Sequence, residues 1–129
     1  MMEAGLELPT LEHRVEALDV IRYAGASGDF NPLHWDRGFA SHASPTGDVI
    51  AHGMYAMGLA SRLLTAWLGG PERVLELQAR FTNPWPVGAL AVLGGRVAAI
   101  DEGVATVELW GRRDDGKRIL RGSARVHAE

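Results

Sequence analysis

Beyond Gly69-Gly70-Pro71, apolar and polar residues alternate with a period of two, and four such stretches read as strands of one antiparallel sheet. In the first, Leu75, Leu77, Ala79 and Phe81 point one way and Glu76, Gln78 and Arg80 the other, which predicts one packed and one wet face. Ala89 to Ile100, Val104 to Arg112 and Arg118 to His127 follow. They are joined at Asp101-Glu102-Gly103 and Asp114-Asp115-Gly116, whose Asp and Gly residues suit tight hairpins. Gly94-Gly95, inside the second stretch, predicts a bulge or the close approach of another backbone. Before the Gly-Gly-Pro stop the period changes. Gly53 to Leu68 carries only Arg62 as a charge and is apolar nearly all round, so it predicts a helix buried on most faces. It is too short, and too interrupted by Gly58 and Arg62, for a membrane span. Upstream, Leu6, Leu8, Leu11 and Val15 form an extended apolar lead-in, and Ala17 to Ala24 reads as a short helix with Leu18, Ile21 and Tyr23 inward. Helix and loop first, strands afterwards, define an α+β class; an antiparallel sheet curled around one buried helix is the simplest arrangement of these parts.

Composition narrows the partners. At 129 residues and 47% hydrophobic content the chain fits one domain, residues 1–129, with a real core. A formal net charge of −3 argues against general affinity for nucleic acid or for anionic membrane surfaces. There is no cysteine, so neither a disulfide nor a thiol nucleophile is available. No basic stretch precedes an apolar signal core, and the expected location is the cytoplasm.

The chemistry concentrates in Ser27-Gly28-Asp29-Phe30-Asn31-Pro32-Leu33-His34. On a helix, five positions would rotate His34 about 140° away from Asp29. Pro32 removes a backbone donor and biases Asn31 toward extended geometry, so the chain bends instead. A bend built from Gly28 and Asn31-Pro32 can turn the carboxylate and the imidazole toward one point, where they would share a water or a substrate proton. The competing reading is an Asx-type turn in which Asp29 holds backbone and His34 packs locally.

Other chemistries find less support. Ser41 and Ser61 have no neighbouring His-Asp constellation for a serine nucleophile. His34, His42 and His52 with Asp29 and Asp48 show no short helical ligand spacing, so no metal is expected. Arg112, Arg113, Lys117 and Arg118 read as a solvated hairpin, with an acidic carrier or a nucleotide phosphate as the alternative.

From Tyr23 through Ala40 the chain resembles the signature of MaoC-like hydratases and dehydratases, carried by Tyr23, Ser27, Gly28, Asp29, Asn31, Pro32, Leu33, His34 and Ala40. Ala51-His52-Gly53-Met54 follows at the distance where that family starts its central helix, and Arg80-Phe81-Thr82-Asn83-Pro84-Trp85-Pro86 resembles its following strand and proline-rich turn. The wording is most similar to the catalytic subunit of type II hydroxyacyl-carrier-protein dehydratases. Ala26 departs from the Gly or branched aliphatic residue usual there, and the prolines at 84 and 86 are spaced differently.

The resemblance implies a hot-dog fold and a hydro-lyase that interconverts (R)-3-hydroxyacyl and trans-2-enoyl thioesters of coenzyme A or acyl-carrier protein, without a cofactor. It implies that Asp29 and His34 hold the catalytic water, Asp29 accepting a proton while His34 orients the water and helps carry proton transfer. The amide of Gly53, at a helix start whose free N–H groups and dipole favour negative charge, would stabilise the thioester oxygen. Asn31, His52 and Trp85 are the supporting substrate-binding candidates, with Trp85 on an exposed proline turn as pocket rim and Met54, Met57 and Trp67 as either pocket lining or plain core. A hot-dog thioesterase and a non-catalytic acyl-binding subunit are the alternatives. Pairing into a homodimer, or into a heterodimer with a related hot-dog subunit, is expected.

Overall fold

In the computed structural model, which describes residues 2–129, the chain runs β1 (Leu11–Arg14), α1 (Ala17–Ser27), a 3-10 turn (Pro32–His34), α2 (Arg37–Ala43), α3 (Gly53–Leu68), β2 (Val74–Phe81), β3 (Leu90–Asp101), β4 (Val104–Arg113) and β5 (Arg118–His127). The strands form one antiparallel sheet in the order β1-β3-β4-β5-β2. Helix α3 packs on it, against β2 and β3, giving the expected sheet around a helix.

The core follows from two periodicities meeting. On α3, Ala56, Leu59, Ala60, Leu63, Leu64 and Leu68 recur at three- and four-residue spacing and are buried. From the sheet, the alternating Leu93, Val97, Val107, Leu120, Ala124 and Val126 meet them. Each leucine or valine among them contributes about 1.5–3 kcal/mol on burial. The helix ends at Gly69, whose left-handed backbone (φ 82°) lets its N–H donate to Thr65 O. One stripe of α3, from Met54 through Gly58, Arg62 and Ala66, faces out, so the helix is less enclosed than its composition predicts. Both hairpins form where expected, with Glu102 (φ 49°) and Gly103 (φ 78°) in the left-handed region at the first. No helix among the described residues is long and apolar enough to cross a membrane.

Three details differ from the sequence reading. Helix α1 continues to Ser27 and turns Val20 and Ala24 inward, while Leu18 and Ile21 are 54% and 55% exposed. The smaller residues occupy the contact side, which lets α1 lie close to the core. In β2 the register slips between Val74 and Glu76, so Val74 and Leu77 pack on the core and Leu75 is turned out. At Gly94-Gly95 the reason is close approach: Gly94 lies under the Trp110 indole, and a Cβ on Gly95 would stand 2.7 Å from the Glu108 carbonyl oxygen. The bulge of β3 sits further on, between Val97 and Ala99.

The helix phases predict opposite outcomes for two leucines. Leu64→Ala should cost about 2–5 kcal/mol in urea unfolding, whereas Leu18→Ala should stay within about 0.5 kcal/mol of the parent; equal losses would contradict this placement of α1.

Candidate active site

Three stretches distant in sequence converge at the start of α3. The first is the loop after α1. Gly28 adopts a left-handed conformation (φ 78°) and ends the helix by donating its N–H to Ala24 O. A relay of side-chain-to-backbone bonds then bends the chain: Asp29 N–H donates to Ser27 Oγ (3.1 Å), Asn31 N–H to Asp29 Oδ1 (3.2 Å) and Leu33 N–H to Asn31 Oδ1 (3.0 Å). Trp35 Nε1–H fastens the loop to Phe30 O at 2.9 Å. One carboxylate oxygen of Asp29 thus shapes the Asx turn of the second sequence reading, and the other is left over. The stretch from Pro32 to His34 closes as a single 3-10 turn.

The second stretch is residues 49–53, anchored by the third, the turn around Trp85. Ala51 N–H donates to Trp85 O (2.8 Å) and Val87 N–H to Val49 O (3.1 Å). Ile50 then exchanges bonds with the loop, its N–H donating to Leu33 O (3.1 Å) and its carbonyl lying 2.7 Å from His34 Nδ1. Because a carbonyl only accepts, Nδ1 carries a proton, and in the neutral form of the ring Nε2 is then bare. That Nε2 faces Asp29 Oδ2 at 3.9 Å, with the His34 side chain 12% exposed and that of Asp29 54% exposed.

His52, last residue before α3, backs this pair. It is 2% exposed, stacks on His34 with ring centroids 3.7 Å apart at 21°, and donates Nε2–H to Asp29 O at 3.0 Å. Tyr23 packs edge-on against its ring at 4.8 Å. Its Nδ1 is buried with no hydrogen-bond partner among the described residues. Burial, helped by the neighbouring His34, pushes its pKa below the ordinary 6.5, against the pull of the Asp29 carbonyl and carboxylate. The side chains of Asp29, His34 and His52 offer ligand atoms within 4.8 Å of one another. Yet His52 Nε2–H is held by a backbone carbonyl, and the donor set fits a hydrogen-bonded stack better than a metal centre.

Beside this group lies a cavity of about 300 Å³ whose walls include His52, Gly53, Phe81, Asn83 and Trp85. The first backbone bonds of α3 run from Tyr55 and Ala56 to His52 O, leaving the Gly53 and Met54 N–H groups at the open helix end. Gly53 lies close under the Phe81 side chain: a Cβ there would stand 2.7 Å from the ring and the ring would have to shift. Trp85 lines the cavity from inside, at 3% exposure, and is not on an exposed turn. Its Nε1–H donates to Ala89 O (2.9 Å) and its ring packs against His13 and Tyr55, which fold the proline turn onto the core. Asn31 stays at the surface holding the turn. Met54 is 56% exposed, and Trp67 borders other cavities, toward Arg62 and Arg73. The Ile50 carbonyl and the Phe81 ring were not among the site candidates of the sequence reading; a backbone acceptor leaves no trace in residue identity, whereas Tyr23, within the matched signature, was the available clue to His52's neighbour.

Fold and site together describe an antiparallel sheet wrapped on a helix, with a carboxylate-imidazole pair at that helix's N-terminal end. Residues 6–108 match the MaoC like domain, and the chain belongs to that family, with the hot-dog fold its sequence implied. Over 100 residues it is 35% identical to 3-hydroxybutyryl-CoA dehydratase of Methylorubrum extorquens, a match covering 77% of this chain and 62% of that protein, so the chain spans less than two thirds of that relative. The (R)-hydratase from A. caviae involved in PHA biosynthesis superposes with a TM-score of 0.90 at 31% identity, covering 99% of this chain and 98% of that one. The ChsH1–ChsH2 complex from Mycobacterium tuberculosis contains a chain that superposes with a TM-score of 0.90 at 26% identity, over 100% of both.

The environment of His52 sets a pH dependence. Its folded pKa lies below 6.5, so the unfolded chain binds the proton first and stability should fall as pH drops below about 6.5. Urea unfolding at a series of pH values should show that slope flattened in His52→Gln; an unchanged slope would remove His52 as its source.

Proposed function

We propose that this chain is a hydro-lyase that interconverts (R)-3-hydroxyacyl and trans-2-enoyl thioesters, with Asp29 and His34 as the catalytic pair. The observation that carries the proposal is the 3.9 Å gap between His34 Nε2 and Asp29 Oδ2, with His34 Nδ1–H committed to Ile50. Two acceptors at that separation fit one water between them, each within ordinary hydrogen-bond distance of its oxygen. In hydration the water oxygen bonds to C3 of the enoyl group, one water proton passes to the Asp29 carboxylate, and C2 receives a proton through the pair, His34 orienting the water and relaying the transfer. Negative charge building on the thioester oxygen falls to the Gly53 amide at the helix start. Dehydration runs the same steps backward. No redox step arises, so no cofactor is required. His52 positions both catalytic side chains, and Trp85 forms the inner wall against the acyl chain.

The relatives are named for the same activity, a dehydratase and an (R)-hydratase. The reading extends to assembly: this chain pairs with a second hot-dog chain along β2, one of the two edge strands of the sheet, which exposes Leu75 (46%) and Phe81 (45%), and it does so in the cytoplasm. The ChsH1–ChsH2 complex offers the pattern for a related, non-identical partner. A native mass of the purified chain separates self-pairing from a missing partner.

Hydration of short and long trans-2-enoyl-CoA, followed as loss of conjugated-enoyl absorbance, tests the chemistry. Asp29→Asn and His34→Ala should each lower kcat by about 10²–10⁴-fold while remaining folded. Retained hydration in both, or thioester hydrolysis by the parent in place of hydration, would overturn the assignment.

A further inference from the structure

The catalytic pair, the helix start and the cavity leave one partly buried polar pair without a task. Tyr55 on α3 and His13 on β1 are 42 residues apart in sequence and meet at 2.7 Å, hydroxyl to Nε2. His13 Nε2 also stands 3.6 Å from Asp19 Oδ2, an oxygen that accepts the Glu16 N–H where α1 begins. Three elements are thus tied at one point, in a place where aliphatic side chains would serve packing equally well. A partly buried polar network selects one geometry, because its donors and acceptors are satisfied together only in that arrangement.

What the pair holds is Trp85. The indole packs edge-on against His13 (ring centroids 5.9 Å apart, 77°) and at a tilt against Tyr55 (6.0 Å, 46°), while its Nε1–H is fixed to Ala89 O. Trp85 is also the inner wall of the cavity beside the stacked histidines, with Ala56, Phe81 and Ile119 among the other walls. Beyond the indole lies core and no further space: the cavities bordered by Trp67, toward Arg62 and Arg73, share no lining residue with this one. At about 300 Å³ the cavity stands at the small end of the range of about 300–1,000 Å³ typical of ligand sites. Family membership leaves the acyl group open, since members are named for a hydroxybutyryl and for a pregnadiene-carboxyl thioester.

We propose that Trp85 is the specificity-determining residue of this chain, closing the cavity to all but short, unbranched acyl groups, and that Tyr55 and His13 are the positioning pair that keeps the indole in place. The proposal rests on the thioester reading of the site. With C3 of the enoyl group at the water shared by Asp29 and His34, the rest of the acyl chain has the cavity to occupy, and its end must stop at the indole or displace it. Each methylene that finds room gains apolar burial, whereas one that does not must push a well-packed side chain off its contacts. Displacing Trp85 breaks the bond to Ala89 and two ring contacts at once, so affinity falls abruptly with length and not by degrees. Without the hydrogen bond between Tyr55 and His13, the two rings behind the indole can part and the wall yields.

Crotonyl-CoA and trans-2-octenoyl-CoA test this on the full chain. The parent's kcat/KM should favour the crotonyl substrate by about tenfold or more. Tyr55→Phe keeps the ring and removes only the hydroxyl; it should cut that preference about threefold or more, through a lower KM for trans-2-octenoyl-CoA. Trp85→Val should abolish the preference, and should it fail to fold, Trp85→Phe, a smaller aromatic wall, takes its place. A merely structural role would lower the rates on both substrates together and leave their ratio alone. An unchanged ratio in the Tyr55 or the Trp85 variant, or a parent that favours trans-2-octenoyl-CoA, would overturn the proposal. Calorimetric titration with butanoyl-CoA and octanoyl-CoA, which cannot be hydrated, separates this from the catalytic reading. Tighter binding of butanoyl-CoA by the parent, with octanoyl-CoA affinity raised about tenfold or more in the Trp85 variant, supports the wall even if no enoyl thioester turns over. Equal or tighter binding of octanoyl-CoA by the parent, or no binding of either, refutes it even if hydration proceeds.

Discussion

Everything at the site depends on one hydrogen bond between a side chain and a distant backbone carbonyl, His34 Nδ1–H to Ile50 O at 2.7 Å. In the neutral ring it decides which nitrogen is bare, and there puts an acceptor and not a donor against the Asp29 carboxylate. It also ties the polar loop after α1 to the stretch that starts α3. The carbonyl is itself held in place, since residues 49 and 51 are laddered to the Trp85 turn and that turn connects β2 to β3. The sheet thus positions the imidazole through three short segments, none of which is regular structure for more than a turn.

That dependence gives a mostly polar loop a fixed shape. Its bends are closed by Ser27, Asp29 and Asn31 side chains, and its far end is clamped by Trp35 on Phe30 O. His52 adds a second tie, from the opposite side, with a ring flat against His34 and a donor on the Asp29 carbonyl. Because His52 is almost fully buried and one of its nitrogens has no partner, the site favours its neutral form. Two stacked imidazoles then present opposite nitrogens to their surroundings, one bare toward the carboxylate and one protonated toward the backbone.

Much of the fold was legible because the second half of the chain is an alternating sheet and α3 a mostly apolar helix ended by Gly-Gly-Pro. Asp29 and His34 were legible because Gly28 and Pro32 force the chain to bend between them. What could not be read was phase and long-range docking. Leu18 and Ile21 looked like core on hydrophobicity, but closeness of packing put the smaller Val20 and Ala24 there. Trp85 looked exposed among prolines, but an indole N–H that finds the Ala89 carbonyl can be buried without loss. The hairpin arginines seemed a local cluster; strand register separates Arg113 from the rest and brings Arg80 and Arg121 beside them. The acceptor on Ile50 is backbone, and no choice of residue announces it.

The most direct measurement is the tautomeric state of the two stacked histidines, read from the side-chain nitrogen shifts in a long-range proton–nitrogen correlation spectrum at a pH where both are neutral. The account predicts opposite tautomers, His34 protonated at Nδ1 and bare at Nε2, His52 protonated at Nε2 and bare at Nδ1. A His34 protonated at Nε2 would place a donor against Asp29, leave no shared acceptor site for water, and contradict the account at its centre.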